Sequence, residues 1–184
     1  MTYGDNTNTA RDTAAKRLRH LHEYYLKHPV TGPTPRRPPT SSASAPLNLA
    51  TLSHIQASVR EVTELTRAAN PDAGPAPSRP EAVYDWCRQQ TEHADETTQQ
   101  RLEAIEYRHY LEHAIRAGDK KVVRRHRCPE CRTWGLMWDT SSQRVLCTNS
   151  ECVDHDGFST TFTLGRLAHE HVTARKDLRQ ARTT

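Results

Sequence analysis

The sequence predicts a mainly α protein with a small β module in its C-terminal third. Three observations carry that reading. Apolar residues recur at helical spacing in stretches separated by proline-rich breaks; four of the five cysteines crowd between residues 128 and 152; and short alternating apolar runs lie between and after those cysteines. Hydrophobic residues make up 34% of the 184-residue chain, below the roughly 45–50% of ordinary globular domains, so an elongated or segmented protein is expected rather than one large core.

The first element covers residues 9–28, TARDTAAKRLRHLHEYYLKH, where Leu18, Leu21 and Tyr25 fall at i, i+3 and i+7 and Thr9 with Asp12 offers a capping box. Pro29 ends this N-terminal helix, assigned to 1–28. Residues 29–47 hold six prolines and almost nothing to bury, which reads as a disordered, polyproline-like linker. PxxP ligands look like this, but a spacer is the simpler account.

Residues 48–117 read as a helical hairpin or arm. Leu52, Ile55, Val59, Val62, Thr66 and Ala69 alternate steps of three and four, the spacing of a coiled-coil or bundle seam. The stretch 52–69 can therefore serve self-association, a protein partner, or packing on the next helix. After the break NPDAGPAPSRP, Ser78 and Glu81 frame Pro80 as a capping box. Val83, Trp86 and Cys87 give the following helix an apolar start, and Leu102, Ile105, Leu111, Ala114 and Ile115 an apolar end. Between them QQTEHADETTQQ is polar all round, so either a solvated arm or a turn near Asp95 is expected. Cys87 reads as a buried small hydrophobe rather than a nucleophile.

Residues 118–163 form a basic lead-in and the cysteine module. DKKVVRRHR places Lys120, Lys121, Arg124, Arg125 and Arg127 directly before the first cysteine. A charge run is usually a solvated face, but basic segments flanking a small fold also supply phosphate contacts, so these five are the candidate nucleic-acid-binding residues. The formal net charge is +4, and the whole excess lies in 118–184, with 12 Lys+Arg against 8 Asp+Glu. That balance permits DNA or RNA binding without demanding it.

Cys128, Cys131, Cys147 and Cys152 follow the pattern C-x2-C-x15-C-x4-C. Two short knuckles joined by a longer return can bring four thiolates to one tetrahedral metal ion, and Zn²⁺ accepts that donor set without geometric preference of its own. The return has the right character: Trp134, Leu136 and Trp138 alternate, DTSS at 139–142 is a turn, residues 143–146 are a second strand, and Phe158 and Phe162 flank a third. Two disulfides or an iron site of the same sulfur set are the alternatives.

These residues resemble the zinc-ribbon family, a rubredoxin-like pair of knuckles on a three-stranded antiparallel sheet. The resemblance covers 126–163, and CPEC has the family's usual proline after its first cysteine. It implies structural Zn²⁺ as cofactor and a fold of proline-broken helices followed by a three-stranded zinc ribbon and a C-terminal helix. The second knuckle departs from the commoner C-x2-C, and Asp154 or His155 stands close enough to replace Cys152. The overall layout also looks like small proteins of actinobacteria and their phages or integrative elements, which implies a mobile-element setting.

Four cysteines close a zinc shell, and no His-x-Glu precedes CPEC as a deaminase site would require, so no catalytic residue is assigned and the protein reads as non-enzymatic. Glu106 and His109 make a Glu-x-x-His pair, but a di-iron site needs a second. His109 and His113 stand at i, i+4 and read as a solvated helix face. Trp134, Trp138, Phe158 and Phe162 could stack on bases; most of them are expected in the small core. Leu164, Leu167, Ala168 and Val172 form the stripe of a basic C-terminal helix, 164–184, which lacks a following recognition helix.

The chain is thus read as a zinc-ribbon protein that binds nucleic acid, DNA first, or as a zinc-stabilised protein-interaction scaffold with helical oligomerisation. With no apolar span of ~18 residues and no leader-like start, a cytoplasmic location and no membrane partner are expected.

Overall fold

The computed structural model describes residues 13–27 and 49–183; the Thr9/Asp12 capping box and the linker 29–47 lie outside them. Five helices, α1 (Ala14–Lys27), α2 (Leu49–Ala69), α3 (Val83–Gln90), α4 (Glu96–Arg116) and α5 (Leu164–Thr183), accompany three short strands, β1 (Leu136–Asp139), β2 (Arg144–Cys147) and β3 (Thr161–Phe162). The protein is mainly α with a small antiparallel sheet and a C-terminal helix.

α4 is the centre, packed against α1, α2 and α5. Its boundaries follow from local chemistry. Asp95 caps the start, its carboxylate accepting the Thr98 N–H at 3.0 Å, so the polar stretch before it is a turn and not a continuous arm. At the other end Gly118, with φ of 95°, lets its own N–H reach Ile115 O (2.9 Å) and the Asp119 N–H reach Ala114 O (2.8 Å). That paired closure needs a left-handed residue, which glycine adopts freely. The expected box at Ser78 does not form. Pro80–Ala82 is a 3₁₀ turn without a side-chain cap, and Glu81 reaches Arg19 of α1 at 3.6 Å instead.

The expected stripes of α1 (Leu18, Leu21, Tyr25) and α5 (Leu164, Leu167, Ala168, Val172) are buried. Along α2, Ile55, Val62 and Thr66 are buried and the helix packs on α1, α3 and α4 of the same chain. Leu52, Val59 and Ala69 of the same seam are partly exposed.

The sheet is a meander in the order β1-β2-β3, with Leu136 opposite Cys147, Trp138 opposite Val145 and Val145 opposite Phe162. The 3₁₀ turn Lys120–Arg125 packs between β1 and α4, burying Val122 and Val123. Apolar residues of helices and sheet consequently form one continuous cluster, in contrast to the elongated chain that the low apolar content suggests. Hydrogen-bonded polar side chains make up the difference: Thr51, Ser58, Thr66, Thr91, His109, His113 and His126 are buried among the apolar ones, and such groups are tolerated only when their partners are buried with them. No described helix is long and apolar enough to cross a membrane.

Candidate metal centre and the groups around it

The first pair of cysteines sits on a hairpin closed by an isolated bridge, and a second bridge follows directly after the second pair. Arg127 pairs with Trp134 across the first knuckle, and Val153 with Ser159 just beyond Cys152. In the first, the Cys128 N–H donates to Thr133 O (2.9 Å) and the Arg132 N–H to Cys128 O (3.0 Å), while Arg132 takes φ of 60° to turn the chain. In the second, Cys147 ends β2, the Cys152 N–H donates to Asn149 O (3.0 Å) and the Thr160 N–H to Cys152 O (3.0 Å). This turn absorbs the longer spacing of the second knuckle, and the fourth thiol still arrives.

The sulfurs meet at one point. Cys128 Sγ lies 3.8 Å from Cys152 Sγ and Cys131 Sγ 3.7 Å from Cys147 Sγ, with all four ligand atoms within 4.8 Å of one another. A tetrahedron with metal–sulfur bonds near ~2.3 Å has edges of about 3.8 Å, so the cluster has the dimensions of a tetrathiolate metal site. It lacks those of two disulfides, whose sulfurs stand about 2.05 Å apart. All five cysteines are free.

No family model, curated protein or solved structure matches the chain. The metal site therefore stands on its geometry, and the likeness to mobile-element proteins rests on chain layout alone.

Cys152 takes the fourth place rather than Asp154 or His155. Those two belong to a separate, exposed group with Asp156, where His155 pairs with Asp156 at 3.1 Å. The thiols are not equivalent. Hydrogen bonds from Thr133 hold Cys131 down at about 6, whereas burial pushes Cys147 up to about 12 and raises Cys128. Binding a divalent cation to this set displaces protons, which makes its occupancy pH-dependent.

The basic lead-in alternates inward valines with outward charges. Lys120, Lys121, Arg124, Arg125 and Arg127 are all exposed, while Val122 and Val123 anchor the turn between them. The Arg127 guanidinium lies 5.0 Å over the Trp134 ring, Lys120 Nζ donates to Thr140 Oγ1 at 2.9 Å, and Arg125 donates to the Tyr110 hydroxyl at 3.4 Å. The aromatics of the ribbon divide evenly: Phe162 is buried and Trp138 half-buried, but Trp134 (59%) and Phe158 (72%) are exposed.

The reading of His109 and His113 as a solvated face is corrected by their burial, 1% and 0% exposed. They belong to a chain of hydrogen bonds that crosses three helices. Glu61 Oε2 meets His109 Nε2 at 3.0 Å, His109 Nδ1 meets the Tyr84 hydroxyl at 3.1 Å, that hydroxyl meets His113 Nε2 at 2.9 Å, and His113 Nδ1 meets His54 Nε2 at 2.9 Å. With one proton per link, every donor points toward the Glu61 carboxylate: His54 to His113, His113 to Tyr84, Tyr84 to His109, His109 to Glu61. The assignment needs all three histidines neutral. Burial and the nearby Arg116 lower His54 to about 4, and burial with His54 and His109 beside it lowers His113 to about 2. Burial also lowers His109, against the pull of Glu61.

A second group joins the ribbon to the helices: the Tyr107 hydroxyl meets His126 Nε2 at 3.2 Å, and the Tyr107 ring stacks on His171 with centroids 3.9 Å apart. Neither group is signalled by the sequence, because their members lie far apart along the chain and the two spacings that do stand out, Glu106/His109 and His109/His113, are common by chance among eleven histidines.

Proposed function

We propose that this chain is a non-enzymatic zinc-ribbon protein that binds nucleic acid, DNA in the first instance, with Cys128, Cys131, Cys147 and Cys152 holding structural zinc. Lys120, Lys121, Arg124, Arg125 and Arg127 contact phosphates. The observation that carries the reading is the construction of the lead-in: five cations face outward on a turn that two fully buried valines fix against the sheet. Charges held on rigid backbone lose little entropy on binding. Trp134, exposed at the end of this run, presents an aromatic face on which a base can stack. The closed sulfur shell supports a structural role, since a catalytic zinc keeps one position open.

The test is binding of duplex DNA and of RNA to the zinc-loaded full chain across a salt series. Replacing all five cations by alanine should weaken binding and reduce the log–log salt slope by about 0.9 for each phosphate that is no longer neutralised. Unchanged affinity and slope overturn the reading.

A second reading, a protein-docking scaffold, has one observation in its favour: Trp134, Met137, Val153 and Phe158 are exposed on the small ribbon. Along the 52–69 seam, Ile55, Val62 and Thr66 pack internally, which leaves only Leu52, Val59 and Ala69 partly exposed for self-association. The scaffold reading fails if the chain sediments as a monomer and retains no protein partner through the ribbon.

A further inference from the structure

We infer that the cleft between the helices and the ribbon binds a phosphorylated ligand, its phosphate held by Arg116 and Lys120 beside the first turn of α5. The cleft has a volume of about 740 Å³, ample for a nucleotide. The helices contribute His54, Arg108, Glu112 and Arg116, the ribbon side contributes Lys120 and Trp138, and the amino end of α5 closes one wall.

Its charges do not cancel. Glu112, the one carboxylate on the wall, pairs with Arg108 at 3.3 Å, and Arg108 also holds Glu61 at 2.5 Å. Arg116 and Lys120 have no carboxylate partner among the described residues. Arg116 reaches the Ala50 carbonyl at 3.5 Å and Lys120 the Thr140 hydroxyl at 2.9 Å. Two uncompensated cations match the charge of about −1.5 to −2 on a phosphate monoester better than the single charge of a carboxylate.

The remaining polar groups include the Gln143 amide, whose Nε2 donates to the Thr140 carbonyl at 2.7 Å, and the free N–H groups at the start of α5. The N–H groups of Leu164 and Gly165, at the start of a helix of 20 residues, have no intrahelical acceptor and lie at the positive end of its dipole. Thr163 Oγ1 already serves the Arg166 N–H at 3.1 Å. A Cβ on Gly165 would stand 3.7 Å from Arg108 Cδ, which sets the helix end directly against the cationic wall. Two cations beside free helix N–H groups suit a ligand group that only accepts, and a phosphate is such a group.

This inference goes beyond the nucleic-acid reading and shares only Lys120 with it; Arg116 and the start of α5 lie outside the lead-in, and Lys121, Arg124, Arg125 and Arg127 are not on the cleft wall, so failure of either reading leaves the other standing. A free nucleotide and the phosphorylated end of a strand share the chemistry, and the test separates them. The full chain is titrated calorimetrically with inorganic phosphate, adenosine, adenosine monophosphate, and a short oligonucleotide with and without a 5′-phosphate. Saturable binding of the phosphorylated probes is expected, adenosine being much weaker. Arg116→Gln and Lys120→Gln, both at exposed positions, should each weaken binding roughly tenfold, the effect of removing one charge-assisted hydrogen bond, while Arg60→Gln, exposed on α2 and off the cleft wall, stays within about twofold. Tighter binding of the monophosphate than of either oligonucleotide assigns a free nucleotide; preference for the 5′-phosphorylated strand assigns a strand end. Absence of saturable binding, equal binding of adenosine, or an equal weakening in Arg60→Gln overturns the site.

Discussion

At Gly135 the backbone runs with φ of 125°, and a Cβ there would stand 2.5 Å from Thr148 Oγ1. The same Thr148 donates twice to the Gly135 carbonyl, from its hydroxyl at 2.6 Å and its N–H at 3.0 Å. This pair of bonds clamps the root of the first knuckle to the residue after Cys147. Gly135→Ala combines strain with overlap and should cost more than about 2 kcal/mol in thermal or urea unfolding. Gly74→Ala, where a Cβ meets nothing within 4 Å, should lie within about 0.5 kcal/mol of the parent. Equal effects would show that the clamp has no stabilising role. Nothing in the local sequence signals this glycine's importance, since its partner is thirteen residues away and belongs to the other knuckle.

Among the elements, α2, α3 and α4 are joined by the chain from His54 to Glu61 as much as by apolar packing. Histidines held neutral in the folded state give a definite pH dependence. Their folded values lie below the ordinary 6.5, so the unfolded chain binds more protons from about pH 6.5 down to about 4 at His54 and about 2 at His113. The contribution to stability is complete above that window and is lost as pH falls through it. The expected slope is roughly 1.4 kcal/mol per pH unit for each histidine that must charge. Arg108 and Arg116 work in the same direction as burial, while Glu61 opposes it at His109. His54→Gln keeps a donor for His113 but removes one titrating group, so its urea-derived stability should fall less steeply from pH 7 to 5; an identical slope would refute the neutral-chain assignment. The apolar stripes of α1 and α5 are legible in the sequence because a helix repeats its buried face every three or four residues within one segment. The histidine chain is not, because its members come from residues 54, 61, 84, 109 and 113 and only folding brings them together. The knuckles are legible for the opposite reason: metal geometry is written into short spacings, and only the choice between Cys152 and its neighbours needs coordinates.

For the whole molecule, the ribbon and the helices share one core, in which Val122, Val123, Leu136 and Val145 belong to the same cluster as Leu111 and Leu164. Removing metal with a strong chelator should therefore lower the melting temperature of the helical circular-dichroism signal as well as that of the ribbon, in one transition. A helical transition that does not move would make the ribbon an independent unit. The pairing of Leu136 with Cys147 carries a last consequence. Strands of four residues specify their alignment weakly, and a slip by one position turns every side chain to the opposite face. A slipped β2 would carry the Cys147 thiol away from the other three, so only the correct alignment can complete the sulfur cluster. A metal ion taken up by all four sulfurs would then act as a proofreader of the sheet, since only molecules folded in register could hold it.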